Sequence, residues 1–174
     1  MRRVLSGLLA LSAAQAGPAL VHTERAFEFT ANASMAVVAP LFGADRERVW
    51  AEGWSPRFVW PSAPQDREGM VFTVDHDGRT GYWINTAFDL RAGRIQYVYV
   101  VPERLVTRIS LTLTPQVENT HVQVTYERTA LSPDANAQVE TLAASDAAAG
   151  PEWGKAVNGY LASAGDMAAG PPGR

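Results

Sequence analysis

Residues 94–128 read RIQYVYVVPERLVTRISLTLTPQVENTHVQVTYER, and the alternation in this stretch decides the fold. Apolar and polar side chains largely exchange places at every second residue, the period of a strand with one buried face. Pro102 and the turn-rich run 115–119 interrupt it, so three strands are predicted, at 95–101, 105–113 and 122–128. Connections this short force antiparallel neighbours. A one-residue slip would turn every side chain over, so a single register keeps the apolar face whole. In that register Val101 meets Leu105, Ile109 lies beside Tyr97 and Leu111 beside Ile95. Across the next turn Leu113 meets Val122, Leu111 meets Val124 and Ile109 meets Tyr126.

The same reasoning extends toward the N-terminus. A strand at 82–88 precedes the turn at 89–93 and pairs Phe88 with Ile95. Continuous pairing then sets Thr86 against Tyr97, Ile84 against Tyr99 and Tyr82 against Val101. A strand at 70–75 follows across Asp77-Gly78, a hairpin turn signal, with Phe72 opposite Ile84 and Val74 opposite Tyr82. Short strands are predicted at 57–60 and 23–32. The expected inner face holds Ile84, Thr86, Phe88, Ile95, Tyr97, Tyr99, Ile109, Leu111, Leu113, Val122, Val124 and Tyr126. The expected outer face carries Asn85, Gln96, Arg108, Ser110, Gln123 and Glu127, together with Trp83.

Between the first two strands, Ser34 is placed to cap a short helix at 35–42 that Pro40 shortens, and Asp45 to cap another running to Trp50 and stopped by Gly53. The alanine-rich segment 139–161 predicts a long helix with Val139, Leu142, Asp146, Ala149, Trp153 and Val157 near one face. Gly150-Pro151 should kink or break it. The Gly, Ala and Pro of 165–174 read as a loose tail. The expected class is α+β: a curved antiparallel sheet of about seven strands wrapped around a long C-terminal helix, with two short helices after the first strand.

The first sixteen residues have the parts of a secretory signal: Arg2-Arg3, an apolar run from Val4 to Leu11, and Ala14-Gln15-Ala16 at the cleavage positions. The run is too short to span a bilayer. This predicts a periplasmic or secreted protein with its domain at 17–164. A start codon assigned too far upstream would instead leave the protein cytoplasmic.

Composition excludes several classes. The 174 residues carry 15 Lys+Arg against 18 Asp+Glu, a net charge of −3, with no basic surplus to neutralise phosphates, so no nucleic-acid partner is expected. With 47% hydrophobic and 19% charged residues the chain is too apolar for disorder. There is no cysteine, hence no disulfide, thiolate metal site or cysteine nucleophile. No phosphate loop, nucleophile elbow or paired-histidine motif is present. No cofactor and no metal are expected, and composition sets no oligomeric state.

A family likeness is carried by Trp50-Ala51-Glu52-Gly53-Trp54-Ser55-Pro56, Gly69-Met70-Val71-Phe72, Trp83, Tyr97, Pro102, and Val124-Thr125-Tyr126-Glu127-Arg128-Thr129-Ala130-Leu131-Ser132. It continues in Trp153, Ala156, Asn158, Tyr160 and Leu161. Over residues 23–162 the chain resembles the SRPBCC superfamily, the START-like and Bet v 1-like helix-grip proteins often labelled polyketide cyclase/dehydrase or lipid-transport-like. The resemblance implies a cavity between sheet and terminal helix. It departs from the family in its export signal and in the small residues Ala143, Ala144, Ala147, Ala148 and Ala149. Small residues there either enlarge a cavity or reflect a general preference for alanine.

The expected function is binding of a small hydrophobic or aromatic molecule in that cavity. Candidate ligand-binding residues are Trp54, Phe72, Ile84, Thr86, Tyr97, Tyr99, Ile109, Tyr126 and Trp153. Apolar walls with a few hydroxyls suit an apolar ligand with one polar end. The resemblance also permits a cyclase/dehydrase-like enzyme using the same cavity, and a filled core with a purely structural role is the third reading. Trp50, Trp54 and Trp60 either line a ligand platform or wedge the short helices against the sheet rim. Asp75-His76-Asp77 is a turn more simply than a metal site. Asp146 either pairs with Arg128 inside or rotates to the rim, and the rim is the expected place.

Overall fold

The alternation in 94–128 becomes the middle of a seven-stranded, fully antiparallel sheet. The computed structural model describes residues 17–76 and 78–169. The predicted signal segment and Asp77 lie outside the described residues. In chain order come β1 (His22–Ala31), the short helix α1 (Met35–Val38) and two 3-10 turns, Ala39–Phe42 and Arg46–Val49. They are followed by β2 (Arg57–Trp60), β3 (Val71–His76), β4 (Arg79–Asp89), β5 (Arg94–Val101), β6 (Leu105–Pro115) and β7 (Thr120–Ala130). A 3-10 turn (Pro133–Ala135) then leads into α2 (Asn136–Ala148) and α3 (Gly150–Ala169). The strands run across the sheet as β1-β7-β6-β5-β4-β3-β2.

The predicted register holds through β5, β6 and β7: Val101 faces Leu105, Tyr97 faces Ile109, Ile109 faces Tyr126, and Leu113 faces Val122. Ile95, Leu111, Val122 and Val124 are accordingly buried. The register fails in β4. Phe88 does face Ile95, but the ladder shifts between Asn85 and Ala87, so that Asn85 faces Tyr97, Trp83 faces Tyr99 and Ile84 faces Val98. A bulge adds one unpaired residue and reverses the alternation beyond it. Trp83 and Asn85 therefore point inward, at 9% and 0% exposure, whereas Ile84 is 43% exposed. Thr86 is also exposed, and its hydroxyl donates to Gln96 Oε1 at 2.9 Å. The shift carries into β3, where Phe72 faces Trp83 and Thr73 faces Tyr82 rather than the expected partners.

The helices cover the concave face. α2 lies on β1 and β7, and α3 lies on β1. The break between them falls at Ala149, just before Gly150-Pro151; Pro151 sits in the first turn of α3, where its missing N–H costs nothing. Gly150 and Gly154 let α3 approach β1 closely: a Cβ at Gly150 would lie 2.9 Å from the Glu28 carbonyl, and one at Gly154 3.3 Å from the Phe29 side chain. α3 runs on to Ala169, past the start of the predicted tail. No described helix is long and apolar enough to cross a membrane.

Candidate ligand cavity

The segment between β1 and β2 is held together by two indole donors of its own and tied to the sheet by Tyr97 of β5. The indole N–H of Trp50 donates to the Leu41 carbonyl (2.7 Å), that of Trp54 to the Ala44 carbonyl (2.7 Å), and the Tyr97 hydroxyl to the Phe42 carbonyl (2.8 Å). Buried aromatic polar atoms need such partners. The polar ends of Trp50 and Trp54 are thus spent within the segment itself, while their rings remain free to form walls. Trp60, half exposed, lies outside this arrangement.

The capping of the second 3-10 turn differs from expectation. The Asp45 side chain makes no cap bond and pairs with Arg48 at 3.1 Å. Asp66, twenty-one residues beyond Asp45, instead accepts the backbone N–H of Asp45 (2.9 Å) and of Arg46 (3.3 Å). Gly43 makes room for it, since a Cβ there would stand 2.3 Å from the Asp66 carboxyl. This cap orients the turn so that Glu47, its second residue, lines the interior.

The result is a cavity of about 150 Å³ walled by Glu47, Trp50, Ala51, Trp54, Phe72, Trp83, Tyr97, Ile109, Leu111, Tyr126 and Trp153. Seven of these eleven residues are aromatic. The rings brace one another: Trp50 meets Trp153 edge-on at 5.3 Å, Trp54 meets Trp83 edge-on at 5.4 Å, and Phe72 stacks on Trp83 at 5.5 Å. An outer groove shares Trp50, Ala51 and Trp153 with the cavity. On the other side a recess shares Trp54, Trp83, Ile109 and Tyr126 and continues to Tyr99, Arg128, Gln138 and Leu142.

Two acids meet this interior differently. Asp146, expected at the rim, is instead 8% exposed and grips Arg128, whose Nε and Nη2 donate to its two oxygens at 2.6 and 2.7 Å. Arg128 Nη1 also donates to the Thr107 hydroxyl at 3.0 Å. Glu47 is half-buried and has no such partner. Burial first, and then the nearby Asp66 carboxyl, push its pKa well above the usual glutamate value. Burial, then the Glu47 charge, push the Tyr97 phenol up, and burial does the same to Tyr126. Among the described residues no cluster of three or more histidines or acids could hold a metal ion. Asp75 is occupied by Thr80, whose hydroxyl donates at 2.7 Å, and by Arg57.

Of the predicted binding residues, Trp54, Phe72, Tyr97, Ile109, Tyr126 and Trp153 line the cavity, and Tyr99 lines the adjoining recess. Ile84 and Thr86 do not; the β4 bulge turns both outward. The Tyr97 hydroxyl, expected to orient a ligand, is taken up by Phe42. Sequence reasoning missed Glu47, and it placed Trp83 on the wrong face. A glutamate between two arginines in a short polar segment reads as a solvent face, and only the cap from Asp66 reveals its direction.

No protein-family model matches the chain, and no curated protein matches it in sequence. Solved structures do share the fold. Norcoclaurine synthase from Thalictrum flavum superposes with a TM-score of 0.61 at 10% identity, covering 92% of this chain and 99% of its own. An uncharacterised protein from Rhizobium leguminosarum gives 0.59 at 15% identity, covering 83% and 97%. Ara h 8.0201 gives 0.57 at 17% identity, covering 82% and 99%.

Proposed function

Given that the chain folds as a Bet v 1-like helix grip, we propose that it binds a small apolar or aromatic molecule in the cavity between sheet and C-terminal helices, as an exported protein. The observation that carries this reading is the aromatic-walled hollow of about 150 Å³. Its size matches a dry engineered cavity of about 150 Å³ known to accept benzene. Transfer of apolar surface out of water, at about 25 cal/mol per Å², supplies the affinity. The same fold in norcoclaurine synthase has been seen in complex with dopamine and hydroxybenzaldehyde, which supports an aromatic guest. Export rests on the N-terminal signal pattern, and the mass of the protein recovered from a periplasmic or culture fraction tests it: cleavage after Ala16 is expected.

Binding is tested by titrating toluene into the protein and following indole fluorescence, with native mass spectrometry of freshly purified protein for a carried ligand. Saturable quenching is expected, and Ala51→Leu, which fills the cavity wall, should abolish it while leaving the far-ultraviolet circular dichroism unchanged. Absence of both a titration and a carried mass would overturn the reading.

Glu47 is the one observation that favours an enzyme of the cyclase/dehydrase type. A carboxyl whose pKa is raised by burial and by the nearby Asp66, inside a ligand cavity, is suited to general acid–base work.

A further inference from the structure

The cavity joins two features that a purely hydrocarbon guest would not use together: a ring of aromatic walls and one inward carboxyl. The carboxyl of Glu47 has neither a hydrogen-bond nor an ion-pair partner among the described residues. The indole N–H of Trp83 is buried without a partner, but as a donor it offers nothing to a cation; the other polar ends at the site are engaged or belong to a weak phenol donor. Trp50, Trp54 and Tyr97 spend their N–H and O–H groups on backbone carbonyls. What they leave toward the cavity is ring surface, whose electron-rich face attracts cations.

This site therefore offers a charge partner and π faces, but almost no hydrogen-bond acceptors beyond the one carboxyl. A primary ammonium carries three N–H donors and a tight hydration shell, and it would lose more than this cavity returns. A methylated ammonium has few or no donors to satisfy and presents methyl groups to the rings, the arrangement known from aromatic cages for quaternary ammonium ligands. We propose that the cavity takes a small methylated ammonium ion, with Glu47 as its counter-ion and Trp50, Trp54, Trp153 and Tyr126 as its cage. The proposal deepens the binding function above and rests on it.

The charge state of Glu47 links binding to pH. The groups facing it are Asp66 from the β2–β3 connection and the phenols of Tyr97 and Tyr126 from the sheet, while α3 presents Trp153. None of these is a cation; the Arg128 guanidinium, 4.6 Å from the Tyr126 ring centroid, is already paired with Asp146. The incoming ammonium supplies the missing positive charge, so it should displace the Glu47 proton. Affinity should rise with pH until Glu47 is ionised and then level off.

The experiment compares choline with its tert-butyl isostere, the same skeleton with carbon in place of nitrogen, by calorimetry on the full protein in two buffers of different ionisation enthalpy. Choline should bind more tightly than the isostere and release a proton. Glu47→Gln should weaken choline by about thirtyfold, as expected for removing one member of an enclosed charge pair, and leave the isostere unchanged. Proton release by the unaltered protein keeps the test independent of whether that variant folds. If choline binds no more tightly than the isostere, or releases no proton at any pH from 5 to 8, the ammonium assignment is overturned while toluene binding still upholds the cavity reading. If toluene also fails to bind, both fall.

Discussion

Asp146 and Glu47 are two carboxylates drawn into one interior, at the two sides of a continuous set of aromatic walls. Asp146 is closed by a two-pronged bond to Arg128, which is itself 6% exposed and held by Thr107. Glu47 is held in place by its backbone, through the Asp66 cap, and its carboxyl is left open. The same functional group thus fastens the α2 helix to β7 in one place and equips a cavity in the other. What differs is whether the fold itself supplies the complementary charge. Where it does, the acid is part of the architecture; where it does not, the complement must come from a proton or a ligand.

The comparison breaks most visibly at the paired acid. Asp146→Ala leaves the Arg128 guanidinium enclosed without a counter-ion and should cost about 3–5 kcal/mol in urea denaturation. Replacing both partners, as Arg128→Met with Asp146→Leu, should recover most of that loss, because the penalty lies in the orphaned charge. A loss below about 1 kcal/mol, the range of an exposed ion pair, would mean that the pair is not enclosed as described.

A smaller effect of opposite sense is expected at Glu47. Its folded-state pKa is raised above the unfolded value. Between the ordinary glutamate range and that raised value the folded state binds more protons than the unfolded, so stability is lost as pH rises through this window. Glu47→Gln should remove most of that slope and make the protein more heat-stable than the parent at pH 9, with little difference at pH 4. Asp66 is also raised, burial being the leading cause, and contributes a residual slope of the same sign. Melting temperatures measured across the range check this, and a parallel slope in the variant would show that Glu47 is solvated.

The smallest effect concerns Asn85, an enclosed amide in the β4 bulge with neither its nitrogen nor its oxygen bonded. It is neutral, so no charge is orphaned. Asn85→Leu should be neutral or stabilising by about 1 kcal/mol in denaturant titrations. Marked destabilisation would instead show that the amide is satisfied.

How far the sequence reveals this molecule varies from strand to strand. In β5, β6 and β7 polar and apolar residues alternate cleanly, and pairing three hairpins leaves one register. In β4 the run Tyr82-Trp83-Ile84-Asn85-Thr86 carries apolar side chains on both parities, so either face could be buried. The rule that polar residues point outward chose the wrong one, because Asn85 is fully enclosed. The cavity shows the same division. Phe72, Tyr97, Ile109 and Tyr126 come from positions whose side alternation or hairpin pairing reveals, whereas Glu47 comes from a short turn with no periodicity to read.

By itself the sequence determined the antiparallel sheet, the registers of its central strands, the break before Gly150-Pro151 and Arg128 as the partner of Asp146 if that acid turned inward. Those follow from local periodicity, backbone restrictions and charge, which act within a few residues. Tertiary structure alone decided which face of β4 turns inward and that Glu47 lines a cavity. A bulge is chosen by packing against strands on both sides, and the cap on the Glu47 turn comes from Asp66, twenty-one residues along the chain from the N–H of Asp45 that it holds. Interactions of that range leave no repeating pattern in the order of the amino acids.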